Sequence, residues 1–202
     1  MFMKDFIATD AAFSLVEPQA ATALDARLLT GIVAGTLVES AAGWHPVERL
    51  RIGDRVQTLD GGLARILAIR RGTVSPLAQM ALVRLDGGTH DACRDTVLVG
   101  EQHVLVDTLD DPQFDGAPYV LVPALALAKP SRFALPGGKS PVEVVTLLFA
   151  DEEVIFANSG VLIHCPGVMD GAGRYPENSF FPRLDLAAAR GFMARRSARL
   201  WA

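Results

Sequence analysis

Cys93, His103, His164 and Cys165 are the side chains of this 202-residue chain best suited to nucleophilic, acid–base or metal chemistry. Thiolate and imidazole are the ligands zinc prefers, but the spacing argues against a shared ion. His164 and Cys165 are adjacent, so on a strand they point to opposite faces and at most three ligands converge. No glycine-rich loop follows a strand and opens a helix, and no serine stands at an elbow between glycines, so no cofactor is called for. Cys93 reads as a small buried residue, the usual role of a single cysteine among apolar neighbours; the reactive alternative is a thiol delivered from the interior. An imidazole such as His103 titrates near neutral pH and suits proton transfer to a backbone amide. Its plainer role is that of a hydrogen-bonded structural residue at the start of a strand. Asp54 and Asp60 fit turn positions better than a pair of working carboxylates. Asn158-Ser159 is a further candidate for slow deamidation or cleavage.

The elements that must carry these side chains are strands. From Leu29 to about Ile163, short runs rich in Val, Ile, Leu and Thr alternate with Gly, Pro and Asp punctuation, which is a β signature. The pattern predicts ten strands: 36–39, 55–58, 64–71, 79–85, 97–99, 103–106, 120–123, 142–148, 154–157 and 161–164. Turns at Leu59-Asp60-Gly61-Gly62 and Asp86-Gly87-Gly88 supply residues tolerant of positive φ where strands reverse. Residues 1–28 read as an N-terminal arm with at most a short helix over 20–27, residues 29–166 as the β domain, and residues 167–202 as a loop and an amphipathic helix. Leu186, Met193 and Leu200 recur at sevens in that helix. Gly191 is a place for it to break. Its arginines suit the C-terminal end of the helix dipole, on a solvated face packed on the body or a partner, or else on a membrane surface or an acidic partner.

Composition narrows the function classes. Half of the residues are hydrophobic, 21% are charged and mean hydropathy is +0.27, values that rule out a disordered chain. A formal net charge of −4 argues against a broad nucleic-acid-binding face. The longest apolar runs, 120–128 and 142–150, are too short for a membrane span. Met1 to Phe13 lacks the continuous apolar stretch of a secretory signal, leaving a cytoplasmic location or leaderless export. Two cysteines make no disulfide framework.

Five pieces of the sequence occur in an order that is informative. They are Ile32-Val33-Ala34-Gly35-Thr36-Leu37-Val38 with His45-Pro46-Val47-Glu48-Arg49-Leu50-Arg51-Ile52-Gly53-Asp54-Arg55-Val56-Gln57-Thr58; Val97-Leu98-Val99-Gly100-Glu101-Gln102-His103-Val104-Leu105-Val106; Tyr119-Val120-Leu121-Val122-Pro123-Ala124; Thr146-Leu147-Leu148-Phe149; and Glu153-Val154-Ile155-Phe156-Ala157-Asn158-Ser159-Gly160-Val161-Leu162-Ile163-His164-Cys165. Together they resemble Hint domains, the hedgehog and intein autoprocessing fold, in its bacterial branch, over residues 29 to 166. The resemblance implies an all-β, horseshoe-shaped fold of two related halves, here followed by a C-terminal α-helix.

It also implies chemistry on the chain's own backbone. In the family a Cys or Ser at the first position attacks the preceding carbonyl, which requires an activated nucleophile, donors for the oxyanion and an acid for the leaving amine. Counting back from Gly35-Thr36 by the family's spacing puts that nucleophile at Gly31, which has no side chain. A slip of one residue would put Thr30 there. The family's Thr/Ser-x-x-His pair retains His103 but has Gly100 in place of the hydroxyl. Inteins end on His-Asn, whereas His164 here runs directly into Cys165, so Asn cyclisation is not expected. Where bacterial relatives carry Asp-x-His before the penultimate strand, this chain has Asp151-Glu152-Glu153.

The first reading is therefore a Hint-like domain without self-cleavage, acting as a structural or interaction module whose partner is its own chain or another protein. Two others stand beside it: residual autoproteolysis near Thr30-Gly31 assisted by His103, and an unrelated β-barrel binding module.

Overall fold

The computed structural model describes residues 30–74, 82–89, 93–127, 141–168 and 179–200. Thirteen strands occur among these residues: β1 (Ile32–Val33), β2 (Leu37–Ser40), β3 (Gly43–Pro46), β4 (Arg55–Thr58), β5 (Gly62–Arg65), β6 (Ala68–Val74), β7 (Leu82–Leu85), β8 (Thr96–Val99), β9 (His103–Asp107), β10 (Tyr119–Pro123), β11 (Val142–Leu148), β12 (Glu153–Ala157) and β13 (Val161–Cys165). Two helices join them, the single turn α1 (Ala124–Leu127) and the fifteen-residue α2 (Leu186–Leu200). The expected all-β body with a C-terminal helix is what the chain forms. The short helix expected over 20–27 lies outside the described residues.

The strands form two antiparallel sheets. One has the order β6-β11-β1-β8-β7; the other runs β10-β9-β13-β12-β2-β4-β5, with β3 paired to β2. A shared apolar core joins them, with Ile32, Leu98, Val145 and Leu147 from the first and Val38, Val104, Ile155 and Ile163 from the second. The predicted strand 64–71 is really two. Arg65 ends β5 in the larger sheet, Ile66 is fully buried, and the Leu67 amide donates to Leu148 O as the chain crosses to the smaller sheet. Strands β1 and β3 escape the pattern because one is only two residues long and the other is bounded by Gly43 and Pro46.

Val47–Arg49 form a short turn after Pro46, burying Val47 and Leu50, and Asp54 Oδ2 accepts from the Arg51 amide at 2.8 Å. Asp185 caps α2 by accepting from the Ala188 amide at 2.8 Å. Gly191 does not break this helix. Its buried stripe follows the expected heptad only in part: Ala189 and Phe192, three apart, enter the core and Met193 packs against it, while Leu200 is 57% exposed. Three of its arginines point to the body. Arg195 and Arg199 pair with Asp111, and Arg196 Nε donates to the Asp107 carbonyl, so the helix is clamped on the loop between β9 and β10.

Candidate functional site

Gly31 leads into β1, which is bonded to β11 on one side and β8 on the other. Its φ is +152°, and a Cβ placed there would lie 2.3 Å from Val144 Cγ1 and 3.2 Å from Thr146 Oγ1. Val144 is fully buried and β-branched, so it has no easy rotamer in which to yield. Beside it, the Thr146 hydroxyl donates to the Thr30 carbonyl at 3.2 Å. Position 31 thus has a polarised carbonyl immediately upstream and no room for a side chain.

Gly100 sits in the turn between β8 and β9, where its carbonyl accepts from the Leu125 amide. His103 opens β9 opposite Pro123 of β10 and is 7% exposed. Burial, then the positive charge of Arg183 and the neighbouring His164, lower its pKa to about 4, against weaker opposing hydrogen bonds to the backbone of Glu101 and Leu184. At neutral pH this imidazole is uncharged.

His164 is the centre of a denser arrangement. It lies on β13, 2% exposed, with Nε2 donating to Glu152 Oε2 at 3.0 Å. That carboxylate also accepts from the Ser179 hydroxyl at 2.9 Å and from the Phe180 amide, and Arg183 Nη2 stands 3.6 Å from it. Burial raises the pKa of Glu152, but the His164 bond, the Phe180 amide and the Ser179 hydroxyl outweigh it and bring it to about 2. Since Nε2 carries the proton given to Glu152, the Arg183 Nη2 contact at 3.3 Å from it is a close approach of two donors. One carboxamide holds the strands under both imidazoles: Gln102 Nε2 donates to the His164 carbonyl at 2.7 Å and to the His103 carbonyl at 3.0 Å. Cys165 turns the other way, into the core, where burial pushes its thiol pKa up.

The family model of the Hint domain matches residues 30–162 of this chain. The chain belongs to the Hint domain family. Two solved structures are similar to it. The bacterial intein-like domain of Clostridium thermocellum, in solution, is 16% identical over 66% of this chain and 97% of its own, with a TM-score of 0.44. A splice-inactive variant of the AceL NrdHF class 3 split intein is 14% identical over 69% of this chain and 99% of its own, with a TM-score of 0.42. No curated protein matches.

Within this Hint domain the expected site residues fall into two groups. Thr30 and Gly31 are held by β11 and β8, while His103 and His164 are neighbours on β9 and β13, tied through Gln102. Cys93 is exposed, not buried as expected, because it falls in a bend before β8; its Sγ donates to Ser159 O at 2.9 Å. Asn158 has a structural use: Oδ1 accepts from the Leu37 amide and Nδ2 donates to Thr96 Oγ1. Among the described residues no group of three or more His, Cys, Asp or Glu side chains could hold a metal ion, and no helix is long and apolar enough to cross a membrane. The residues that sequence reasoning missed are Thr146, Gln102, Glu152 and Arg183. Glu152 had a signal, as one of three consecutive acidic residues at the family's Asp-x-His position. Arg183 lies beyond the matched span and had none.

Proposed function

We propose that this Hint domain keeps its scaffold without the self-cleaving step at Thr30-Gly31 and serves as an interaction module. The observation that carries this reading is the packing of Val144 against Gly31, which leaves the nucleophile position without a side chain or space for one. Two further features support it. His103 is neutral at physiological pH, so it has no proton surplus to give a leaving amine, and the Cys165 thiol is buried and hard to ionise. The test is the intact mass of the purified chain after incubation with and without dithiothreitol or hydroxylamine. A single uncut species is expected; fragments ending at Thr30 and beginning at Gly31 would overturn the reading.

The Thr146 contact favours a second reading, slow hydrolysis of the same bond. A hydroxyl donor on the Thr30 carbonyl supplies one of the requirements, oxyanion stabilisation. Water would add to the Thr30 carbonyl carbon, the C–N bond would break and the proton would pass to the Gly31 nitrogen. The mass experiment decides between the two, because Thr146→Val would abolish such fragments.

A further inference from the structure

The segment 179–184 lies across the domain as an extended peptide. Pro182 O accepts from the Leu121 amide at 2.8 Å and the Leu184 amide donates to Leu121 O at 2.9 Å, in a parallel bridge between Leu121 and Arg183. These bonds use the outer edge of β10, the terminal strand of the larger sheet. Side chains add recognition on both flanks. Phe181 packs edge-on to Tyr119 with ring centroids 6.4 Å apart, and Arg183 reaches the Glu152 carboxylate that His164 holds. The Leu184 backbone closes over His103.

We propose that the β10 edge and the Glu152–His164 pair form a docking site for an extended peptide of the pattern aromatic-proline-basic-aliphatic, and that residues 181–184 of this chain occupy it as an intramolecular ligand. This deepens, and rests on, the reading of the domain as an interaction module. Main-chain bonds to a sheet edge give affinity for any extended segment, and the flanking pockets select its side chains. Here the selecting groups are Tyr119 for an aromatic ring and Glu152 for a cation. Glu152 is anchored by His164, Ser179 and the Phe180 amide, so part of its hold depends on the segment itself. Tethering gives the resident segment an effective concentration of about millimolar. A peptide in trans therefore gains access only when the tethered copy is weakened.

The experiment uses the full chain and a fluorescein-labelled peptide with the sequence of residues 179–184. Apparent affinity scales with the fraction of molecules whose site is open, so Arg183→Ala is expected to bind the peptide at least about tenfold more tightly than wild type. In the same variant, hydrogen exchange at the Leu121 and Leu184 amides should accelerate. Adding Glu152→Gln should remove the gain, as should a peptide with Glu in place of its Arg. Unchanged exchange would show that Arg183 does not hold the segment, and faster exchange without tighter binding would show that the edge takes no peptide; either overturns the proposal. If Arg183→Ala fails to fold, Phe181→Ala loosens the same segment at its contact with Tyr119 under the same expectations. Intact masses of these samples test the loss of cleavage separately, so the two readings fail by different measurements.

Discussion

Val144 stands over Gly31 so closely that a single added carbon would come within 2.3 Å of its Cγ1. The overlap shows that replacing the missing nucleophile takes two changes. Gly31→Cys alone meets a stiff, fully buried side chain at a φ of +152°. Overpacking and backbone strain each cost about 1–3 kcal/mol. Gly31→Cys is therefore expected to destabilise the domain by several kcal/mol in a urea titration, and Gly31→Cys with Val144→Ala to recover part of that loss. Equal stabilities of the single and double variants would contradict this account of the site. The pair, with Gly100→Thr added, is also the proper background in which to look for thioester chemistry, since a cysteine that cannot take a relaxed rotamer says nothing about the scaffold.

Acid should weaken the fold through His103. The folded ring has a pKa of about 4 and the unfolded one about 6.5. As the pH falls, the unfolded chain takes up the proton first, so the stabilising contribution is complete above about pH 6.5 and is lost between there and pH 4. Its size is on the order of 3 kcal/mol. Denaturant unfolding at pH 7 and pH 4.5, on wild type and His103→Gln, tests this: the variant should lose clearly less stability over that interval. Parallel losses would mean that another group is responsible. Glu152 does not contribute strongly between pH 7 and 4.5, because even the unfolded carboxyl begins to take up its proton only near pH 4.5; its stabilisation is lost below that, as the pH falls towards about 2.

Gly191→Ala should stabilise the protein. The glycine lies inside α2 on an exposed face, and the added Cβ would meet only Arg195 Nη1, at an ordinary contact distance of 3.6 Å. Alanine in a helix interior is worth about 1 kcal/mol over glycine, which thermal unfolding can resolve. A lower melting temperature would show that the helix needs the glycine for close approach.

Much of the fold was legible because alternation survives in the sequence wherever one strand stays in one sheet. Arg55–Thr58 and Val142–Leu148 came out with their observed bounds. Alternation cannot record a change of sheet, which is why the pattern places Ile66 and Leu67 in mid-strand. The site was legible only where a family motif carried it. Gly31, Gly100, His103 and His164 stand at motif positions. The partner of Glu152, by contrast, comes from a segment 31 residues downstream (183 − 152) that no local pattern connects to it. Cys93 is exposed because it stands among charged residues, between Asp91 and Arg94 in sequence, in a bend before β8.

Gln102 gives the two histidines a common mechanical fate. Because one carboxamide grips the backbone beneath both rings, β9 and β13 cannot slide past one another without breaking the buried bond from Gln102 to the His164 carbonyl. A pull on the β13 backbone at His164 therefore reaches β9 through one buried amide.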